Sequence, residues 1–148
     1  MVNFHEPTWD AEVPDGGGSV LRAVRLAAHA GAESLAANLY ELEPGAKVSP
    51  LHFHHANEEM LLVICGEPTL RRGQDDERRL APGEVVAFPV GPDGTHQIVN
   101  RSEAAARVLI VATAALPEVA EQPEEERLAV LTADGLRIVG RTDPIDAP

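Results

Sequence analysis

Between residues 46 and 113, short apolar or β-branched runs alternate with clusters of turn-forming residues, and no run is long enough for a stable helix of several turns. The runs are residues 60–65, 85–88, 97–99 and 107–113. Between them stand Gly66-Glu67-Pro68, Arg72-Gly73-Gln74-Asp75-Asp76, Ala81-Pro82-Gly83 and Gly91-Pro92-Asp93-Gly94. Pro82-Gly83 suits the two central positions of a type II turn, since Pro fixes φ and Gly supplies a positive one. Strands this short, at this spacing, predict an antiparallel sandwich or barrel. The chain has 148 residues, enough for one domain.

Charge and cysteine content narrow the function. Acidic residues outnumber basic ones 24 to 12, for a net charge of −12. A nucleic acid or an anionic membrane would be repelled, so neither is expected as a partner. The single cysteine, Cys65, excludes an intramolecular disulfide framework and a multi-thiolate zinc site. The longest apolar stretch, residues 108–116, is too short to span a bilayer as a helix. The first residues form neither a basic segment nor an apolar one, so a soluble cytoplasmic protein is expected.

Four of the six histidines lie in or beside one polar cluster. His52 and His54 stand at i and i+2, which on a strand places both imidazoles on one face. Glu59 opens the apolar run 60–65 and shares a face with Leu61 and Val63, whereas Glu58 has the opposite orientation. His96 opens the run 97–99. Three imidazoles and one carboxylate make a mixed nitrogen–oxygen set suited to Mn, Fe(II), Co, Ni or Zn. Such a set leaves coordination positions open for water or substrate.

These residues resemble the two motifs of the cupin superfamily. The first reads Gly45, six residues, His52-Phe53-His54, four residues, Glu59, six residues, Gly66. The second reads Gly83, five residues, Pro89-Val90-Gly91, then Pro92-Asp93-Gly94-Thr95, His96, three residues and Asn100. The first glycine stands one residue further from His52 than is usual, and the loop before His96 is two residues longer; Gly91, Pro92 and Gly94 are suited to absorb that length. The resemblance implies an all-β double-stranded β-helix, or jelly-roll barrel, with an N-terminal arm and a C-terminal hairpin. It also implies a divalent metal held by His52, His54, Glu59 and His96, and a homodimer, since cupins commonly pair back to back.

On this reading one domain covers residues 1–148. Residues 1–33 are an arm, irregular through Gly16-Gly17-Gly18; residues 34–116 form the barrel. Residues 117–148 supply a solvated acidic connector over 117–126, a hairpin about Asp134-Gly135 and a frayed tail over 144–148. Composition alone favours a helix from Ser19 to about residue 30, while the barrel requires a strand over 34–42. Residues 60–65 are apolar on both faces, which predicts cover from the arms or from a second subunit. His55 and Glu58 should face away from the pocket, Cys65 should be buried, Tyr40 should pack in the core, and His5 and His29 should play no part in catalysis. Gly66, Gly83, Pro89 and Asn100 read as framework residues. The implied function is chemistry on a small organic molecule at the open face of a metal, of the dioxygenase or other oxidoreductase, isomerase, decarboxylase or cyclase kinds that related barrels carry. The alternative is a non-catalytic barrel that binds or senses a small ligand, its metal structural or absent.

Overall fold

In the computed structural model, which describes residues 2–14 and 18–141, the apolar runs of the sequence become strands. Gly16, Gly17 and the tail over 144–148 lie outside the described residues. The chain begins with β1 (Ala11–Pro14), β2 (Val20–Arg25), a short helix α1 (Leu26–Ala30), β3 (Leu35–Leu42), β4 (Phe53–His54) and β5 (Glu59–Cys65). It continues with β6 (Thr69–Arg71), β7 (Glu77–Arg79), β8 (Val85–Phe88) and β9 (Gln97–Val99). The last strands are β10 (Ala106–Thr113), β11 (Glu118–Gln122), β12 (Arg127–Thr132) and β13 (Gly135–Gly140). Pro82 and Gly83 form the turn their chemistry dictates, with Gly83 at φ 86° and Glu84 N–H donating to Ala81 C=O at 3.1 Å.

All pairings are antiparallel. One sheet runs β1-β2-β3-β10-β5-β8, a second β13-β12-β11-β4, and a third β7-β6-β9. His52 and His96 exchange two backbone hydrogen bonds, at 3.1 and 2.9 Å, and so join the second sheet to the third. The core lies between these layers. Leu42, Leu61 and Val108 of the large sheet meet Leu70 and Ile98 of the small one, all nearly or wholly buried. Within the large sheet Leu61 stands directly opposite Ile110, and Val63 opposite Val108, so the alternation read in residues 59–65 gives the inner face.

The outer face of β5 is covered only in part. Ile64 and Leu109 pack with Trp9, Val24, Leu26 and Leu39, which the arm and β3 supply. Met60 remains 40% exposed, and Cys65 is exposed rather than buried.

Two expectations about the ends are corrected. The helix expected from Ser19 is a strand as far as Arg25, and the arm adds two strands to the large sheet. The reason is a ladder of opposite charges, each directly across from the next: Glu12, Arg22, Glu41 and Arg107 on β1, β2, β3 and β10. Its contacts are 3.0, 2.9 and 2.6 Å. Although burial opposes charge on Glu41, Arg107 and Arg22 hold its carboxyl below the usual range. The strand expected over residues 34–42, by contrast, is present as β3, Leu35–Leu42.

The acidic connector is also structured. Residues 118–122 form β11, paired to β4 and β12. Its acids have partners: Glu121 contacts His55 at 3.2 Å and Arg141 at 3.3 Å. The hairpin beyond it is present, with Gly135 at φ 125° closing its turn. No helix among the described residues is long and apolar enough to cross a membrane, which leaves strands out of account.

Leu61 is wholly buried, so Leu61→Ala is expected to cost about 2–5 kcal/mol. Met60→Ala, one residue away on the exposed face, is expected to cost less than about 1 kcal/mol. Urea denaturation of the two variants checks the inside–outside assignment of β5.

Candidate metal centre

Three local devices aim the side chains. The His52–His96 pair puts both imidazoles on one face of the joined sheets, with ring centroids 4.5 Å apart. His54 lies two residues on, facing the same way, and Glu59 begins β5. The long loop before His96 closes as a 3-10 turn over Pro92–Gly94, tied to the site by Gly91 N–H donating to His54 C=O at 2.8 Å. Gly94 admits no side chain, because a Cβ there would lie 1.9 Å from the Pro89 oxygen. Its carbonyl accepts a 2.8 Å hydrogen bond from His96 Nδ1. Phe88 stacks on the His96 ring at 3.7 Å and 7°.

The carbonyl bonds decide which ring nitrogens face inward. A carbonyl only accepts, so His96 carries its proton on Nδ1, as does His52, whose Nδ1 donates to Pro50 C=O at 2.9 Å. Both Nε2 lone pairs are left for the cluster. His52 Nε2 lies 3.1 Å from His54 Nε2. Glu59 Oε2 lies 3.3 Å from His54 Nε2 and 3.1 Å from His96 Nε2. Donor atoms of His52, His54 and Glu59 all lie within 4.8 Å of one another, and His96 joins them through Glu59. All four expected residues are thus brought together.

Despite these approaches, the buried Glu59 Oε2 makes no aligned hydrogen bond among the described residues. Nitrogen and oxygen donors that converge this closely, two with their protons held on the far side and Glu59 Oε2 without an aligned bond, fit a divalent ion. The wall around them consists of Tyr40, Val48, Ser49, Ile98 and Ile110, enclosing about 190 Å³.

Glu118 and Asn57 complete the surroundings and were not found from sequence. The nearly buried Glu118 carboxylate accepts from His55 N–H at 3.0 Å, Ala56 N–H at 3.4 Å and the Asn57 side chain. It also stands 3.6 Å from His54 Nδ1, as the outer carboxylate of that imidazole. Nothing in the spacing of the acidic run separates Glu118 from its neighbours. Of the flanking residues, Glu58 and His55 are exposed, whereas His29 pairs with Asp10 at 2.7 Å.

Burial and charge pull the group apart electrostatically. Burial, aided by the neighbouring imidazoles, lowers His52 from 6.5 to about 4. Burial opposes charge on His54 as well, but Glu59 and Glu118 outweigh it and raise its pKa. For Glu59 burial is again outweighed, by His54 and His96, and the carboxyl is held well below its usual range. Burial first, and then the Glu59 charge, push the Tyr40 phenol up to about 12, so it stays a neutral donor.

The pH dependence of the metal-free protein follows. Unfolded His52 takes up a proton more readily than folded His52, so stability falls as the pH drops from 6.5 toward 4. Glu59 adds a loss below 4.5, where the unfolded carboxylate protonates first. His54 acts in the opposite sense, since its raised pKa favours the folded form on acidification. Two losses against one gain predict net destabilisation. Urea denaturation between about pH 7.5 and about pH 4 should show it, and His52→Ala should flatten the upper part of that decline by up to about 1.4 kcal/mol per pH unit.

Comparison with known proteins accords with this geometry. The family model for the cupin domain matches residues 38–112, just over half of the chain and both histidine motifs. The structure of a sugar phosphate isomerase of the cupin superfamily from Silicibacter pomeroyi is similar at a TM-score of 0.84 and 28% identity, covering 99% of this chain and 97% of that one. The polyketide cyclase RemF from Streptomyces resistomycificus is similar at 0.62 and 25%, covering 85% and 90%. A protein from Acidithiobacillus ferrooxidans shares the fold at 0.76 and 24%, covering 87% and 81%. No functionally curated protein matches the chain by sequence. The matched motifs and the barrel that carries them make this chain a member of the cupin family.

Proposed function

We propose that this chain is a metal-dependent enzyme of isomerase type, acting on a small hydroxycarbonyl compound, with His52, His54, Glu59 and His96 as the metal ligands. The convergence of His54 and His96 on Glu59 Oε2, which has no aligned hydrogen bond among the described residues, with His52 Nε2 beside His54 Nε2, carries the reading. The similarity to the isomerase from Silicibacter pomeroyi supports the reaction type. A divalent ion of the Mn-to-Zn series held there supplies a Lewis acid that polarises a carbonyl or hydroxyl oxygen.

The chain's own groups do the rest. Val48, Ile98 and Ile110 exclude water from one side, and Tyr40 offers a phenolic proton to an oxygen that gains charge. No lysine or arginine among the described residues lines this pocket, so the metal is the cation that the reacting head of the substrate would meet. Among the described residues Tyr40 is also the only titratable lining group besides the four candidate ligands, and that observation favours the second reading, a non-catalytic cupin that binds a small molecule.

Element analysis of protein purified without chelator should find a divalent metal. Its removal should lower Tm, and adding it back at a hundred times Kd should restore about 2.7 kcal/mol of stability. His54→Ala should melt near the chelated protein and respond weakly to metal. In D₂O, the loaded protein should exchange the C–H protons beside the carbonyl of short 2-hydroxy ketones, followed by proton NMR. Tyr40→Phe should slow that exchange about 10²-fold or more. Absence of metal, with no response of Tm to any ion from Mn to Zn, would overturn the reading; ligand binding without exchange would favour the second one.

A homodimer belongs to the same proposal. Met60 and Val85, on one outer face of adjacent strands, are 40% and 55% exposed. Sedimentation equilibrium should return twice the mass of the chain, and Val85→Lys should shift it toward monomer.

A further inference from the structure

The inner face of the large sheet narrows along the barrel. Deep inside, facing side chains are bulky: Tyr40 stands opposite Val108, and Ile110 opposite Leu61. One row nearer the end of β10, Ala36, Ala112 and Glu59 lie in register across β3, β10 and β5. Two of those three side chains stop at Cβ, which opens a second cavity of about 360 Å³. It shares His54 and Glu59 with the metal-centre pocket, so the two spaces meet at the ligand set. Ala114, Ala115 and Leu116 wall it on one side, and Leu131 of β12 closes another.

The polar groups of this chamber already bond one another. Asn57 Nδ2 donates to Ala115 C=O and to Glu118, while its Oδ1 accepts from Thr113 Oγ1 at 2.9 Å and Ala115 N–H at 2.7 Å. Thr113 Oγ1 also accepts from Glu58 N–H, and Glu118 holds the two backbone donors of His55 and Ala56. Apart from His54 Nδ1 and Glu59 Oε2, which have no aligned partner among the described residues and belong to the side shared with the metal centre, what remains for a ligand is hydrocarbon, with Glu33 and Glu118 repelling any anion.

We infer that the substrate is a compound with an oxygen-bearing head at the His52–His54–Glu59–His96 set and an uncharged apolar tail in the alanine-lined chamber. This rests on the metal-centre reading above and names a substrate class that a sugar phosphate does not fit. Leu116 and Leu131, 52% and 41% exposed, are hydrophobic residues at the rim that the tail would cover.

The test is a homologous series of straight-chain hydroxamates, from acetohydroxamate to octanohydroxamate, titrated calorimetrically into the metal-loaded full chain. The head is constant and chelating, and only the tail grows. Over the first few carbons each methylene should tighten binding roughly threefold to fourfold. Leu131→Asp and Ala114→Asp, both at exposed positions, should flatten that dependence while leaving the fold intact by circular dichroism. A hydroxamate with a terminal carboxylate should gain nothing from its longer chain. Metal-dependent binding of acetohydroxamate without any length dependence would overturn the chamber and leave the metal reading standing. No binding of any hydroxamate to the loaded protein would overturn the open coordination site, and the chamber with it, while failure to load any ion from Mn to Zn would overturn the metal reading itself.

Discussion

The paired backbone hydrogen bonds between His52 and His96 build the barrel wall and the site in one step. Residues that exchange both bonds in an antiparallel pair are held about 5.5 Å apart at Cα, with side chains on a common face. The spacing of the two imidazoles is therefore a property of sheet closure, not of side-chain choice. The same pair is where the sheet ending in β4 joins the sheet ending in β9. A shift of one residue in this register would turn both rings out of the barrel and open the wall. The extra length of the loop before His96 is taken up ahead of the pair, in the turn anchored to the His54 carbonyl, and so does not reach the register.

Bringing three imidazoles and a carboxylate into a largely buried space costs desolvation free energy, and the surroundings show how it is offset. His52 and His96 give their outer nitrogens to carbonyls, which keeps both rings correctly turned, while burial and the neighbouring imidazoles hold His52 neutral. His54 has Glu118 behind it instead and shifts the other way. Two imidazoles 3.1 Å apart are thus driven toward different protonation states, which lets them pack this closely without facing charges. A carboxylate near one ring and carbonyls behind the other two set His54 apart from His52 and His96.

What could be read from the sequence is what is local. The runs at 85–88 and 97–99 became strands with those bounds, and the four site residues lie in two short motifs whose spacing is visible along the chain. β2 was hidden because its partners are charges: Arg22 has no apolar period to display, and the alanines around it favour a helix until Glu12 and Glu41 are known to lie opposite. β11 was hidden for a related reason. Acidic residues next to prolines look solvated until the backbone donors of His55 and Ala56, some sixty residues earlier, are seen to point at Glu118. The constraint on Gly94 was equally silent, since it arises from the Pro89 carbonyl and not from a positive φ.

Two of the hidden contributions to the site, Glu118 and Leu131, come from beyond residue 112, where the match to the cupin domain ends. β11 delivers Glu118 to His54, and β12 delivers Leu131 to the chamber beside Glu59. The four candidate ligands are carried by motifs within the matched region, while the electrostatics behind His54 and the shape of the space beside Glu59 are set in part by the segment that follows. Changes in that segment can therefore alter what the site accepts without moving the atoms that would hold the metal. Main-chain pairing holds β11 directly beside β4, the strand that carries His54, and β12 beside β11, so the segment is fixed to the site by backbone while its side chains remain free to differ.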